Sequence, residues 1–342
     1  MKNYISQKAM ELFKIDSPSG MTKAAMDYLE SEVKAIGFSM EFITKGNGFI
    51  CIPGEQTDYT RAVSAHVDTL GLMVRSITEK GTLKLTAIGS PIIPTLDGEY
   101  CKIYTRDKKI YTGTIISIAP AIHVHPDATT IERTLDTIEV RLDEVVHSKA
   151  DVEALSIATG DFVCYEPKMT ITPSGYIKSR FIDDKISVII FLALLKKIKT
   201  DNIKLATHTV FLFSTYEEVG HGMSFLPVKI EELLSVDMGC VGLDLNCTEQ
   251  QVSICAKDSS GPYDYDLTSK LITLAKAKKL PFAVDIYPRY SSDTSAALKA
   301  SNDIKGALIG PGVSASHGME RTHYEAVEAT FELILEYLVS KV

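Results

Sequence analysis

Several short apolar runs in this chain end in clusters of acids or histidines, and segments with a helical pattern separate those runs. Residues 62–65 lead into His66-Val67-Asp68, and residues 209–214 lead towards Glu217-Glu218. Residues 186–198 are predicted to form a long apolar helix. Strands that alternate with helices predict a mostly parallel sheet flanked by helices, where chemistry gathers at the carboxyl ends of strands. The sequence therefore predicts an α/β domain with its polar clusters at those strand ends.

The segment 76–160 has a different pattern from the rest of the chain. Its short runs, such as residues 100–104 and 111–116, are rich in β-branched and aromatic residues, and turn signals such as Asp97-Gly98 separate them. A chain of 342 residues is long enough for two domains. We therefore expect a catalytic α/β domain formed by residues 1–75 and 161–342, with an all-β, barrel-like domain inserted at 76–160.

The composition of the chain excludes some classes of binding partner and indicates a cellular compartment. The chain has 36 Lys and Arg against 44 Asp and Glu, which gives a net charge of −8. Nucleic acids and anionic membranes require basic patches, so neither is an expected partner. The longest apolar run, residues 186–195, is too short to span a bilayer, and residues 1–8 lack an apolar signal core. Six sparse cysteines without a CxxC pair favour free thiols, so we expect a cytoplasmic protein.

The polar clusters contain the residue types that bind divalent metals. The candidates are His66, Asp183, Glu217, Glu218, Asp237 and His317. Two histidines with three carboxylates suit a pair of ions such as Zn²⁺ or Co²⁺, which a bridging carboxylate would hold ~3.5–4 Å apart. In Glu217-Glu218 one acid could bind metal and leave its neighbour as a general base. Simpler alternatives remain open, because His66-Val67-Asp68 suits an ordinary strand-end turn and Asp183-Asp184 suits helix capping.

Taken in order, these clusters resemble the motifs of the M42 family of metallo-aminopeptidases, which includes glutamyl aminopeptidases and tetrahedral dodecameric peptidases. The resemblance runs nearly end to end, and its specificity comes from the fixed order of the motifs. They are Ser17-Pro18-Ser19-Gly20, residues 65–74 with His66 and Asp68, Phe181-Ile182-Asp183-Asp184-Lys185, Glu217-Glu218-Val219-Gly220, Val236-Asp237-Met238, Ser292-Asp293-Thr294 and Ser316-His317.

The resemblance implies a metal-binding role for five matched residues. Asp183 would bridge two divalent ions, Zn²⁺ or Co²⁺, in each subunit. His66 and Asp237 would complete one metal site, and Glu218 and His317 would complete the other.

The resemblance also implies the surroundings of the metals and the activity. Glu217 would be the general base on a metal-bridging water, Asp68 would orient His66, and Asp293 would lie near the substrate pocket. The substrates would be short peptides, cleaved after their N-terminal residue. The inserted domain would mediate dimerisation, and dimers of this family commonly assemble into dodecamers.

The chain departs from the family pattern near the implied substrate pocket. Lys185 stands where the family has Arg, which keeps the charge but loses the bidentate geometry. Ser291-Ser292 replaces Gly-Thr, and Ala315-Ser316 replaces the Arg-Tyr before the terminal His. The acid that follows is Glu320, three residues after that His instead of four. These changes bear on specificity more than on chemistry.

Histidines at two further positions are also candidates for metal ligands. His323 lies six residues after His317 and is a second candidate for the terminal ligand, although motif position favours His317. His123-Val124-His125 has a ligand-like spacing, but it lies in the inserted segment, where we expect a surface loop.

The expected function is therefore a two-metal aminopeptidase, and three alternatives remain. A metal-dependent N-acyl-amino-acid or small-amide deacylase would use the same site with a different pocket. A glycosidase is less favoured, because the adjacent Glu217-Glu218 would rarely face each other across a sugar at ~5–9.5 Å. It would also leave His66 and His317 without roles. A scaffold with structural metals would not need a spare acid such as Glu217.

Overall fold

A computed structural model describes all 342 residues, and the chain forms two compact units. One unit combines Met1–Thr69 with Lys168–Val342, and the other is Leu70–Pro167. The second unit therefore extends beyond 76–160 at both ends. The reason is that the strands Gly71–Ile77 and Phe162–Tyr165 pair with each other, so both belong to the same sheet.

The regular structure comprises helices, strands and two 3₁₀ turns, Ile93–Leu96 and Glu217–Val219. The helices are α1 (Lys2–Leu12), α2 (Lys23–Ile36), α3 (Lys149–Ala154), α4 (Ile182–Thr200), α5 (Tyr265–Ala277), α6 (Asp293–Lys299) and α7 (Tyr324–Val339). The strands are β1 (Glu41–Phe42), β2 (Gly48–Ile52), β3 (Gln56–His66), β4 (Gly71–Ile77), β5 (Leu83–Ile88), β6 (Tyr100–Tyr104), β7 (Ile110–Ser117), β8 (Ile138–Leu142), β9 (Phe162–Tyr165), β10 (Thr170–Ile171), β11 (Tyr176–Ser179), β12 (Thr207–Ser214), β13 (Glu232–Val236), β14 (Gly239–Cys240), β15 (Val252–Asp258), β16 (Gly261–Pro262), β17 (Phe282–Ile286), β18 (Lys305–Val313) and β19 (Glu320–His323).

The first unit is built on a mixed sheet with the strand order β1-β2-β12-β3-β13-β18-β15-β16. The four central strands β12, β3, β13 and β18 run parallel to one another. Towards the edges, β2 pairs antiparallel with β12, and β15 pairs antiparallel with β18. The parallel arrangement expected from the sequence is therefore present at the centre of the sheet, and antiparallel strands complete both sides.

Both faces of this sheet are covered by apolar side chains. Successive residues of a strand point to opposite faces, and β3 and β12 show this alternation. Val63 and Phe211 join the large core that also contains side chains of α1, α2, α4 and α7. Ala62 and Val210 join a smaller cluster with Met223 on the other face. Burial on both sides explains why these strands are continuous apolar runs in the sequence.

The second unit is a closed barrel with the strand order β4-β5-β8-β7-β6-β9. Fully buried residues such as Leu72, Ile103 and Val140 fill it, as side chains do in small barrels. The expectation of an all-β segment is wrong in one detail, because α3 lies between β8 and β9. The side chain of Ser148 caps that helix by accepting a hydrogen bond from the main-chain amide of Asp151.

Three further expectations concern the chain outside its strands. No helix of the structure is long and apolar enough to cross a membrane. The six cysteines are free thiols, and four of them are buried. His123-Val124-His125 lies among turns between β7 and β8 with His123 exposed, as expected for a surface loop.

Candidate metal centre

The central strands of the sheet bring four of the predicted site residues to one edge. His66 is the last residue of β3, Asp237 directly follows β13, and Glu217 and Glu218 form a 3₁₀ turn shortly after β12. Because β3 lies between β12 and β13 and all three run parallel, their carboxyl ends are neighbours.

Two other segments reach the same place. Asp183 and Asp184 lie at the start of α4, where their backbone angles are not helical, and a cis peptide bond joins them. His317 lies in the loop between β18 and β19. The site is therefore assembled from strand ends, one helix start and one loop that are far apart in sequence.

His66 is fixed by its neighbours in a single orientation. Its Nδ1 lies 2.9 Å from the main-chain oxygen of Asp68, and since a carbonyl oxygen only accepts, Nδ1–H is the donor. The other ring nitrogen, Nε2, lies 3.0 Å from Oδ1 of Asp183, 3.7 Å from Glu217 and 3.9 Å from Asp237. A main-chain oxygen that holds one nitrogen and leaves the other towards acids is the usual arrangement of a metal-binding histidine.

Asp183 lies between the two histidines. Its Oδ1 faces Nε2 of His66 at 3.0 Å, and its Oδ2 faces Nε2 of His317 at 3.6 Å. The same nitrogen of His317 lies 3.6 Å from Oε2 of Glu218. Burial disfavours the charged form of Asp183, but His317 and His66 together hold its pKa below its usual range. The two oxygens of the Asp183 carboxylate therefore face different histidines.

His323, the competing histidine, has a different position. Its Nε2 lies 2.9 Å from the main-chain oxygen of Ser174, and its Nδ1 accepts a hydrogen bond from the amide of Glu325 at the start of α7. Both ring nitrogens are therefore occupied by contacts that join β19 and α7 to their surroundings.

The electrostatics of the centre favour a bound cation. Burial, followed by the charge of Asp183, raises the pKa of Asp237 to about 7 and raises that of Glu218 well above its usual value. Burial also raises the pKa of Glu217 well above its usual value. For His66, burial opposes the charged form, but Asp183, Glu217 and Asp237 raise its pKa well above its usual value. The centre therefore contains more buried acids than positively charged groups to balance them.

Two buried oxygens at the centre have no hydrogen-bond partner, namely Oε1 of Glu218 and Oδ1 of Asp184. Buried polar atoms are nearly always paired, so such atoms indicate a missing partner. Two groups of ligand atoms lie close enough together to hold a metal ion: His66 with Asp183 and Glu218, and His66 with Asp184 and Asp237. Nitrogen and carboxylate oxygen donors fit a borderline divalent ion. The residues present therefore fit a metal centre.

Asp184 is part of this centre, although its motif gave it no role in the sequence-based assignment. It is fully buried, and its Oδ2 accepts a hydrogen bond from the main-chain amide of His66 at 3.1 Å. Burial, followed by the charge of Asp237, raises its pKa well above its usual value. The sequence suggested helix capping for these adjacent acids and did not indicate this contact with β3.

Asp68 contacts His66 through its main chain, whereas its carboxylate has another use. Its two carboxylate oxygens accept hydrogen bonds from the amides of Glu217 at 3.1 Å and Glu218 at 3.2 Å. The hydroxyl of Ser19 also donates to this carboxylate. Oδ1 lies 3.6 Å from Nδ1 of His66, which is beyond a hydrogen bond. Asp68 therefore links the histidine to the segment that carries both glutamates.

Asp293 supports the same segment from the other side. It is buried at the start of α6, and its Oδ1 lies 3.2 Å from the hydroxyl of Ser214 and 3.0 Å from the amide of Met223, both of which donate to it. Burial raises its pKa to about 6. The structure thus places Asp293 behind the turn that carries Glu217, with its hydrogen bonds directed to protein groups.

Glu320 connects two of the candidate ligands, a role that its motif position did not reveal. Its Oε2 accepts a hydrogen bond from the amide of Asp183 at 3.1 Å, and its Oε1 accepts one from the amide of His317 at 2.9 Å. Burial, followed by the charge of Asp183, raises the pKa of Glu320 to about 8. This buried acid therefore fixes the main chain of one residue on α4 and one on the loop.

An open cavity of about 550 Å³ lies beside the loop that carries His317. Its lining includes Lys168, Lys178, Glu249, Ala315, Glu320 and Arg321. Arg321 donates two hydrogen bonds to Glu249, at 2.8 and 2.9 Å. Of the remaining charged residues in the wall, the two lysines Lys168 and Lys178 outnumber the one acid, Glu320. The departures from the family pattern at Ala315 and Glu320 therefore border this cavity.

Comparisons with known proteins agree with this arrangement. The family model of the M42 glutamyl aminopeptidases matches residues 46–333. YhfE of Bacillus subtilis (strain 168), whose name places it provisionally among the aminopeptidases, is 44% identical over 339 residues, 98% of each chain. The glutamyl aminopeptidase of Lactococcus lactis subsp. cremoris (strain MG1363) is 25% identical over 197 residues, 55% of this chain and 53% of the relative.

Solved structures show the same fold. The TET1 peptidase of Pyrococcus horikoshii, which can assemble into a tetrahedron or a large octahedral shell, has a TM-score of 0.86 at 21% identity. The alignment covers 98% of this chain and 99% of that chain. The match of the family model over most of the chain, together with the relative at 44% identity, settles the family. The chain belongs to the M42 glutamyl aminopeptidase family and is a hydrolase that acts on peptides.

Proposed function

We propose that this protein is an aminopeptidase that uses two divalent metal ions to remove N-terminal residues from short peptides. The observation that carries the proposal is the position of Asp183, whose two carboxylate oxygens face His66 and His317 separately. A carboxylate shared in this way suits a bridging ligand between two ions. Asp237 lies near His66 and Glu218 lies near His317, so each histidine has a further acid beside it.

The two ions would be held by different sets of residues. His66, Asp237 and one oxygen of Asp183 would bind one ion, and His317, Glu218 and the other oxygen would bind the second. Zn²⁺ and Co²⁺ both suit these donors. When bound, the ions would lower the pKa of the attacking water and polarise the carbonyl of the scissile bond.

Glu217 is the residue we assign as general base. Its Oε2 lies 3.7 Å from Nε2 of His66, close to the centre, while its neighbour Glu218 faces His317. In the proposed reaction Glu217 accepts a proton from the attacking water and passes it to the amine of the leaving peptide. A pKa raised by burial suits a group that both accepts and returns a proton near neutral pH.

The acids of the centre also suit recognition of a free N-terminus. A protonated α-amino group is a cation, and buried acids line the centre. Acidic groups beside the metals would hold that amino group and place the first peptide bond at Glu217. This is the basis for assigning an exopeptidase rather than an endopeptidase.

Self-association is part of the proposal. The TET1 peptidase of similar fold can assemble into a tetrahedron or a large octahedral shell. A chain of a TET1 structure with a dodecamer in the asymmetric unit covers 99% of this chain at a TM-score of 0.85. We assign residues 70–167, the barrel unit, to dimerisation and the remaining residues to catalysis. Light scattering at working concentration tests self-association: a dimer or larger assembly supports it, and a monomer contradicts it.

The activity is tested on a panel of aminoacyl-p-nitroanilides with N-acetylated versions of the same compounds. The protein is stripped of metal and then supplied with Zn²⁺ or Co²⁺. Cleavage of free-amine compounds only when metal is present, with refusal of the acetylated ones, supports the aminopeptidase. Cleavage of acetylated compounds alone would instead assign a deacylase to the same centre. Turnover that persists in the presence of EDTA would contradict both.

A further inference from the structure

The side chain of Asn47 contacts the chain on both sides of the 3₁₀ turn Glu217–Val219. Its Oδ1 accepts hydrogen bonds from the amide of Thr215 at 3.2 Å and from the hydroxyl of Thr215 at 2.8 Å. Its Nδ2 donates to the main-chain oxygen of Gly222 at 2.8 Å. Thr215 precedes the turn and Gly222 follows it, so one buried side chain joins the two ends of the segment 215–222.

The register of the sheet places Asn47 at this position. Asn47 directly precedes β2, and antiparallel pairing places Gly48, the first residue of β2, opposite Phe213 near the end of β12. Two hydrogen bonds close the turn between β1 and β2: the amide of Ile43 donates to the oxygen of Asn47 at 3.0 Å, and the amide of Gly46 donates to the oxygen of Ile43 at 2.9 Å. Asn47 is therefore held beside the point where the chain leaves the sheet.

The contacts of Asn47 require a side chain that has both a donor and an acceptor. The main-chain amide of Thr215 can only donate and the main-chain oxygen of Gly222 can only accept, so these partners fix which end of the Asn47 amide faces each of them. An ionised carboxylate would keep the contacts with Thr215 but could not donate to Gly222. The amide side chain at this position is therefore matched to closing the segment.

Other side chains hold different parts of the same region. Asp68 accepts hydrogen bonds from the amides in the middle of the segment, at Glu217 and Glu218. Asp293 links the residues just outside it, because its Oδ1 accepts hydrogen bonds from the Ser214 hydroxyl and the Met223 amide. Asn47 makes the inner link, and one of its two contacts lies only two residues before Glu217.

We propose that Asn47 is a positioning residue for Glu217, because it closes the segment 215–222 and so fixes the place of the Glu217 carboxylate. This inference rests on the proposed aminopeptidase function, in which Glu217 is the general base. Proton transfer requires precise placement of the base, and a displacement of about 1 Å can lower the rate by about 10²-fold. The effect belongs to the chemical step, so it should lower kcat and leave KM nearly unchanged.

The test compares Asn47→Ala with Asn302→Ala as a matched control. Asn302 also donates to main-chain oxygens, those of Ala297 at 2.8 Å and Ser224 at 3.4 Å, but both lie outside the segment 215–222. The measurements on Co²⁺-loaded protein are kcat and KM on a free-amine p-nitroanilide and bound Co²⁺ per subunit. Hydrogen exchange of the segment, which reports local opening, is measured on the metal-free protein.

For Asn47→Ala we expect kcat to decrease by about 10²-fold with KM within about threefold. Bound Co²⁺ should equal that of wild type, and faster hydrogen exchange should be confined to the segment 215–222. Asn302→Ala should match wild type in kcat and in exchange of this segment. Wild-type kcat in Asn47→Ala, an equal decrease in both variants, or a decrease in kcat without faster exchange of the segment would overturn the inference.

A second variant, Thr215→Val, tests the inference if Asn47→Ala does not fold. It removes only the hydroxyl that donates to Asn47 and keeps the shape of the side chain. We expect kcat to decrease by about fivefold with KM unchanged, and wild-type kcat would overturn the inference. A wild type that is inactive on the free-amine substrate would contradict the proposed function instead, and hydrogen exchange would still decide whether Asn47 closes the segment.

Discussion

The carboxylate of Glu320 holds the main chain of His317 through a hydrogen bond of 2.9 Å, although neither its motif position nor its spacing indicates this contact. The second oxygen of the same carboxylate holds the amide of Asp183 at 3.1 Å. One buried side chain thus sets the distance between the two proposed ligands of the second ion. Groups that orient metal ligands are often as important for affinity as the ligands themselves.

Replacement of Glu320 by Gln should weaken metal binding. The amide NH₂ of Gln cannot accept a hydrogen bond, so one of the two main-chain amides loses its partner. We expect the affinity for the second ion to decrease by about 10–100-fold, measured by metal competition with a chelator. Glu249→Gln is the matched control, since Glu249 lines the same cavity but pairs with Arg321. Equal metal affinity in both variants would contradict the positioning role of Glu320.

Replacement of Glu217 and of Glu218 should separate proton transfer from metal binding. Glu217→Gln should lower kcat by about 10²–10⁴-fold while metal content stays at the wild-type level, because the general base is lost but no ligand is. Glu218→Gln should lose metal, since its carboxylate faces His317 at 3.6 Å. Metal analysis and turnover on the same samples check both. The assignment fails if Glu217→Gln keeps near-normal turnover or if its metal content falls as that of Glu218→Gln does.

The stability of the metal-free protein should decrease as pH rises. Burial raises the pKa values of Asp293, Asp237 and Glu320 to about 6, 7 and 8. Between their unfolded values near 4 and these folded values, the folded state binds more protons, so the free energy of unfolding decreases with increasing pH. The raised pKa of His66 acts in the same direction, and the lowered pKa of Asp183 acts only at lower pH.

Thermal unfolding with a chelator present checks this prediction. Tm should be lower by several degrees at pH 8.0 than at pH 5.5. With metal bound, an ion replaces the proton on Asp237, so the loss towards pH 8.0 should be smaller or reversed. A metal-free protein that is more stable at pH 8.0 would show that these acids are not buried as the structure has them.

Replacement of Gly222 by Ala should distort the segment that carries the two glutamates. A Cβ atom at Gly222 would overlap Oδ1 of Asp293 and the hydroxyl of Ser214. We expect destabilisation of about 1–3 kcal/mol in denaturant unfolding and reduced turnover. Gly242→Ala is the control, because nothing lies within 4 Å of its added Cβ atom. An equal effect of the two substitutions would count against this close packing behind the turn.

The sequence predicted the elements whose signals are local. The repeat of apolar residues along the last segment predicts a helix over residues 324–339, and α7 has these bounds. The apolar pattern of residues 21–36 followed by Gly37 predicts a helix that stops there, and α2 ends at Ile36 with Gly37 in the left-handed conformation. The helix α1 was not predicted: its few apolar residues, Ile5, Ala9 and Leu12, are diluted by polar ones and are buried by packing on α4.

The part of the site whose side chains lie at strand ends was predictable from the sequence. His66, Asp237 and the glutamate pair follow apolar runs, so their convergence follows from a parallel sheet. Asp184 and Glu320 were not assigned, because each acts through a main-chain amide. Such contacts depend on the path of the loops in three dimensions, and a residue pattern along the chain does not specify that path.

The central claim is that Asp183 joins two metal sites that together support aminopeptidase action. Its most direct test is a titration of metal-stripped protein with Co²⁺, in which turnover of a free-amine p-nitroanilide is measured against ions added per subunit. The account predicts no turnover without metal and a rise that ends at two ions per subunit, with Asp183→Asn inactive at every point. Full turnover of the stripped protein in EDTA, or an active Asp183→Asn, would contradict it.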